Sequence, residues 1–124
     1  MRQIKFRMWD FKNKEMYDGD SLAFEEYAPI SQMLSQDGIM QYTGLLDRIG
    51  NELYEGDIVQ NGVNIYEIVW TEHFARYGAK KIKSDSVLSL GCTFPLWQYV
   101  VEDTKQCIFE VIGNQFENPE LINS

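Results

Sequence analysis

Residues 57–70 read Asp57-Ile58-Val59-Gln60-Asn61-Gly62-Val63-Asn64-Ile65-Tyr66-Glu67-Ile68-Val69-Trp70, and this stretch decides the fold. Two runs rich in β-branched and aromatic residues flank Asn61-Gly62. Asn-Gly between apolar runs is the strongest short-range hairpin signal, because both residues tolerate the positive φ of turns that match strand twist. The run Ile65–Trp70 suits a pleated, half-buried surface. The reading is a strand over 57–60, a turn at Asn61-Gly62 and a strand over 63–70.

β-signals continue on both sides. Upstream, Asp47-Arg48-Ile49-Gly50-Asn51 is turn chemistry between Leu45-Leu46 and Leu53-Tyr54, with Gly50 or Asn51 supplying the positive φ of a tight reversal. At the start of the chain Ile4, Phe6 and Met8 alternate with Lys5, Arg7 and Trp9, the period of a strand with one buried face. A polar turn over 10–15 then returns through Glu15-Met16-Tyr17. Residues 24–37 break the pattern: Ile30, Met33 and Leu34 fall at helical spacing, Pro29 suits a first helical turn and Gly38 an end, so a short helix is favoured over an irregular strand.

Downstream, the Gly and Ser content of residues 71–91 reads as a long loop or a helix-loop insertion. Strands are expected over Leu96–Glu102 and Gln106–Ile112, joined through Asp103-Thr104-Lys105. Asn118-Pro119 forces extended geometry before the proline, so a turn follows, with one helical turn over 120–122. The sum is a mainly β, single small domain: a twisted antiparallel meander or barrel-like sheet of roughly six to eight strands with short helical pieces. Gly56-Asp57-Ile58-Val59 is similar to the step entering a hairpin in SH3-like barrels. The expected core is Ile4, Phe6, Ile58, Ile65, Ile68, Leu96, Val100, Ile108 and Val111.

With 124 residues, the chain buries roughly two-thirds of its unfolded surface on folding and needs no disulfide or metal staple. Its net charge of −8 disfavours non-specific binding to phosphate backbones, whose affinity comes from Lys and Arg releasing counterions. Charge is uneven: residues 1–20 carry five basic and four acidic side chains, whereas from Asp85 onward Lys105 stands against six acidic residues. No apolar signal region and no membrane-length apolar run are visible. Cys92 and Cys107 lack C-x-x-C spacing and read as reduced thiols packed in a core. A cytoplasmic protein with no membrane association is expected.

Motifs for chemistry are few. Glu55 and Asp57 stand two apart, so on a strand they project from one face, as a Mg²⁺-binding pair in a nuclease would. Glu55-Gly56-Asp57 equally makes a turn in which Asp accepts backbone N–H bonds. His73, Cys92 and Cys107 are too few and too scattered for a zinc site. No nucleophile elbow or phosphate loop occurs. The expectation is a non-enzyme with no catalytic residue, no metal and no cofactor. A nucleic-acid foothold exists in Arg76, Tyr77, Lys80, Lys81 and Lys83, beside His73 and Phe74, where aromatics interleave with cations. The aromatics Trp9, Tyr42, Tyr54, Trp70, Trp97, Tyr99 and Phe116 suit a core or an interface.

Three blocks span the chain. Ile4-Lys5-Phe6-Arg7-Met8-Trp9-Asp10 opens it. Met40-Gln41-Tyr42-Thr43-Gly44-Leu45 leads on to Asn51-Glu52-Leu53-Tyr54-Glu55-Gly56-Asp57-Ile58-Val59. Glu110-Val111-Ile112-Gly113-Asn114-Gln115-Phe116-Glu117-Asn118-Pro119-Glu120-Leu121 closes it. Together they resemble the YopX-like family of phage and prophage proteins. Met8 departs from the small residue usual there, and residues 71–95 have no counterpart in the pattern. The resemblance implies a β-rich phage protein and brings no chemistry with it. Its matching positions look structural: Arg7, Trp9 and Asp10; Gln41, Tyr42, Thr43 and Gly44; Gly56 and Asp57; Gly113, Asn114, Asn118 and Pro119. Arg7 is expected to tie the first strand to Asp10 or to another acidic partner. The leading expectation is a module that binds a host or phage protein or associates with itself. Nucleic-acid binding through residues 73–83 stands second and a metal-dependent nuclease a distant third.

Overall fold

A computed structural model describes residues 5–17, 38–84 and 87–123. In chain order its strands are β1 (Phe6–Asp10), β2 (Glu15–Tyr17), β3 (Ile39–Leu46), β4 (Glu52–Tyr54), β5 (Asp57–Asn61), β6 (Asn64–Thr71), β7 (Arg76–Lys83), β8 (Thr93–Pro95) and β9 (Glu110–Asn114). Short 3-10 turns cover Val87–Ser89 and Leu96–Tyr99, and a four-residue helix, α1, covers Glu120–Asn123. The fold is mainly β: one antiparallel sheet runs β2-β1-β3-β4, the other β8-β7-β6-β5-β9, and one of the two curls into a half-barrel.

The 57–70 stretch is the β5–β6 hairpin, with Asn61 opposite Asn64. Its turn centre is therefore Gly62-Val63, one residue later than Asn61-Gly62. Gly62 supplies the positive φ, 64°, at the first central position, where a type II′ turn requires it. The first hairpin, β1–β2, and the Asp47–Asn51 turn between β3 and β4 form as the sequence implies, with Gly50 at φ 97°. The helix expected over 24–37 lies outside the described residues, as does Ile4.

Two expectations fail in instructive ways. Within the expected loop over 71–91, residues 76–83 are a strand: β7 pairs with β6 from Thr71↔Arg76 to Ile65↔Lys83, and β8 then pairs with β7. Its Gly and Lys content hides a strand that the ladder of β6 imposes. Leu96–Glu102 is not a strand either. Pro95 ends β8 and, with no N–H to donate, hands the chain to the 3-10 turn Leu96–Tyr99. That turn buries Leu96 and leaves Trp97 exposed. The strand expected over 106–112 starts late, at Glu110, after a bridge between Val100 and Cys107.

The larger core cluster joins Leu53, Val59, Tyr66, Ile68, Ala79, Leu96, Cys107 and Phe109. Tyr66, Tyr99 and Phe109 form a ring trio with centroids 4.6 to 5.6 Å apart. A second cluster holds Met40, Tyr42 and Tyr54, with Trp9, Met16 and Phe116 packed against it. Of the expected core, Ile58, Ile65, Ile68 and Leu96 are buried, and Phe6, Val100 and Val111 are half-buried. Ile108 is 41% exposed while Phe109 is wholly buried. Inward positions here are 107 and 109, one residue from the expected 108, and a one-residue shift along a strand reverses the face. Cys107 is in the core, where burial pushes its thiol up to about 11, but Cys92 is exposed.

The Asp47 turn fastens β3–β4 to the far end of the chain. Asp47 is wholly buried. Its carboxylate accepts the backbone N–H groups of Ile49, Asn51 and Val111 at 3.1, 2.8 and 3.1 Å, and the Asn51 side-chain amide at 3.2 Å. Arg48 N–H donates to Phe109 C=O and Cys107 N–H to Leu46 C=O. Burial alone pushes the Asp47 carboxyl up, but the backbone donors outweigh it and hold the group below its ordinary value of 3.8. Its stabilising contribution is therefore present above that value and is lost as the pH falls below it. Asp47→Ala strands three backbone donors and is expected to cost about 2–3 kcal/mol in urea denaturation at pH 7. A cost under about 0.5 kcal/mol, as for an ordinary surface change, would contradict this role.

Candidate functional site

The three sequence blocks meet in space, first at a buried ion pair. Arg7 on β1 donates through Nη2 to Asp57 Oδ1 at the start of β5. The other carboxylate oxygen, Oδ2, accepts the Tyr54 backbone N–H at 2.7 Å. The guanidinium lies over the Tyr54 ring, 4.4 Å from its centroid, and Nη2 also approaches Met40 Sδ at 3.6 Å. Asp57 is 1% exposed. Burial pushes its carboxyl up to about 6, against the opposing pull of the Arg7 charge and the Tyr54 N–H. Burial and the Glu52 carboxylate push the Tyr54 hydroxyl up to about 12. Of the partners expected for Arg7, the other acidic residue is Asp57, whereas Asp10 accepts the Lys12 and Asn13 backbone N–H groups at 2.9 and 3.2 Å and pins the β1–β2 turn.

The pair also redirects the carboxylates considered for a metal. Both Asp57 oxygens are engaged, and Glu55 is half-buried on the turn, its N–H bonded to Gln41 C=O. Among the described residues no three His, Cys, Asp or Glu side chains gather as a metal-ligand group.

The second meeting point is a cleft between β1–β2 and the chain's closing turn. Asn114 is buried, and its Oδ1 accepts the N–H groups of Phe116 and Glu117 at 3.0 and 2.8 Å. Asn118 Oδ1 in turn accepts the Asn114 N–H at 3.2 Å. Gly113 makes room for this: a Cβ there would lie 2.5 Å from Asn118 Oδ1. Gly56, at φ 92°, fits closely too, since a Cβ would lie 2.7 Å from Gln115 Nε2, and its C=O accepts the Gln115 N–H. The turn so braced carries Phe116 to Trp9, their rings 6.5 Å apart and nearly parallel, with Phe11 edge-on to Phe116 at 5.4 Å. The resulting open cleft has a volume of about 950 Å³. Trp9, Phe11, Met16, Phe116 and Pro119 form its apolar lining, and Lys14, Glu15, Glu117 and Glu120 its charged rim.

Residues 5–123 match the YopX protein family. The chain belongs to the YopX family. A crystal structure of protein EF1440 from Enterococcus faecalis is similar to this YopX chain at 25% identity. The alignment covers 98% of this chain and 99% of that one, with a TM-score of 0.58. No curated protein matches the sequence significantly.

Other residues of the quoted blocks make contacts within the fold. Tyr42 packs on Tyr54 at 5.6 Å between ring centroids. Thr43 Oγ1 donates to Leu53 C=O and accepts Leu45 N–H at 2.8 and 3.1 Å. Gly44, at φ 90°, sits where the β3–β4 register shifts. The basic residues of the nucleic-acid reading lie on β7 and divide. Arg76 stacks on Phe74 at 4.5 Å, Tyr77 meets Trp70 edge-on at 5.0 Å, Lys80 stands opposite Glu67, and Lys81 covers the Tyr66 and Phe94 rings. Lys83, exposed, ends the strand opposite Ile65. Sequence reasoning passed over Phe11, Glu15 and Glu120 as parts of a site. The available signal was a large aromatic in an otherwise polar turn, Asp10-Phe11-Lys12-Asn13.

A carboxyl raised from 3.8 to about 6 on folding contributes stability that is present below pH 3.8 and lost as the pH rises through 6. Removing Arg7 raises that carboxyl further, so its cost falls mainly above pH 6, where the intact protein holds an ionised Asp57. Arg7→Met is expected to destabilise by about 3 kcal/mol at pH 7.5 and clearly less at pH 5, measured by urea denaturation. Equal costs at the two pH values would refute the assignment.

Proposed function

We propose that this YopX-family chain is a non-enzymatic protein-interaction module, encoded by phage or prophage, that holds a partner from the host or phage machinery in the Trp9–Phe116 cleft. The observation that carries the reading is the cleft itself: family-signature residues from both ends of the chain converge on an aromatic surface in which Trp9 and Phe116 are half-buried and Phe11 is exposed. Phe11 is 56% exposed although it is packed edge-on against Phe116. Exposed aromatics in a concave site are what interfaces use as anchors. The scaffold is fixed on both sides, by Asp10 in one turn and by Asn114 with Asn118 in the other. A braced site loses little conformational entropy on binding.

The reading predicts that a partner captured by the native protein from cells of its host or phage background is lost with Phe11→Ser, whose side chain is solvent-facing enough to leave the fold intact. Retention of the same partner by the variant, with an unchanged circular dichroism spectrum, would remove the cleft from the account.

Nucleic-acid binding ranks below this. Lys80 has Glu67 across the ladder, Lys81 lies on rings, and the net charge is −8. Single- or double-stranded DNA is expected to bind no tighter than about 100 μM at physiological salt, the weak end of non-specific affinities. A salt-sensitive submicromolar complex in a fluorescence titration would reverse the ranking.

A further inference from the structure

We propose that the occupant of the cleft is a cationic protein segment. An extended stretch bearing Lys or Arg would lay its head groups on the Trp9, Phe11 and Phe116 rings, with their charge met by Glu15, Glu117 and Glu120. This rests on the interaction reading above and says what kind of partner the site selects.

The rim sets the sign. Three carboxylates stand there against one ammonium, Lys14. Among the described residues none of these four charges is in an ion pair. Glu15 accepts the Tyr17 hydroxyl at 2.9 Å, which orients the carboxylate and leaves its charge unneutralised. Charges of one sign around a concave, partly apolar wall focus their field into the opening and raise the local concentration of the opposite sign.

The floor suits the same ligand. Cations are attracted to the negative face of aromatic rings, most strongly to Trp. The protein already makes this contact with its own side chains, at Arg7 over Tyr54 and Arg76 over Phe74. A cleft of about 950 Å³ is at the upper end for small-molecule sites and is open, so it admits main chain along with a head group. An acidic partner meets repulsion from the rim, and a neutral apolar one forfeits three carboxylates that lie ready to pair.

The test uses two heptapeptides, Ac-Gly-Lys-Gly-Arg-Gly-Lys-Gly-amide and its Gln counterpart with all three cations replaced. Binding is followed by NMR at the Trp9 indole N–H. The cationic peptide is expected to shift that signal saturably, with the Gln peptide weaker by about tenfold, the combined worth of three exposed charge pairs. The variant E15Q/E117Q/E120Q should erase that preference while its melting temperature and circular dichroism stay close to native. Equal binding of the two peptides would overturn the cationic inference and leave the interaction reading standing. So would a preference that survives in the triple variant, or no shift with either peptide while Phe11→Ser still loses the captured partner. No shift together with a partner retained by Phe11→Ser would remove both readings.

Discussion

The contact between Arg7 and Asp57 organises the molecule. Asp57 opens β5 in one sheet, Arg7 lies in β1 of the other, and fifty residues separate them in the chain. The same carboxylate accepts the Tyr54 N–H, so it also sets the tight connection through Glu55-Gly56. The guanidinium is in turn held flat on Tyr54. Arg7 and Trp9 stand two apart on β1, and alternate residues of a strand share a face. Fixing Arg7 therefore aims Trp9 at the Met40–Tyr42–Tyr54 cluster and at Phe116. The cleft inherits its geometry from a buried charge pair that it does not itself contain.

Such a pair is a constraint more than a source of stability. Taking two charges out of water costs several kcal/mol for each ion, and their mutual attraction repays this only with good geometry and further hydrogen bonds. The raised carboxyl of Asp57 shows desolvation still outweighing the pull of Arg7 and the Tyr54 N–H. An apolar replacement of similar volume would pack here without specifying a partner. The ion pair penalises any register that leaves Asp57 unmatched, a directional demand that methyl groups do not make. Asp47 achieves a comparable effect at the other end by gathering backbone donors alone.

Much of the fold was legible because its signals are local. The β5–β6 hairpin announces itself through β-branched runs around Asn-Gly, and the Asp57 turn through its own acceptor chemistry. What was illegible is non-local. β7 is a strand because β6 offers it a ladder from Ile65 to Thr71, although Gly78, Lys80 and Lys81 describe a loop by composition. Ile108 and Phe109 are adjacent and both apolar, and only the irregular approach to β9 decides which faces inward. Arg7 could be read as tying the first strand to an acidic partner, Asp10 or another, but that the partner is Asp57, fifty residues on, is not written in the sequence, which records no distance across sheets. The cleft was hidden for the same reason: Trp9 to Met16 and Phe116 to Glu120 are a hundred residues apart, and only the folded chain makes them one surface.

The central claim is that Arg7 and Asp57 act as one coupled element joining the two sheets. A double-mutant cycle over Arg7→Met and Asp57→Asn, measured by urea denaturation at pH 7.5, tests it most directly. The account predicts strong non-additivity, with a coupling of about 1.5–3 kcal/mol, since residues sharing one buried charge network fail to add. Costs that add to within about 0.5 kcal/mol, the behaviour of independent sites, would contradict it.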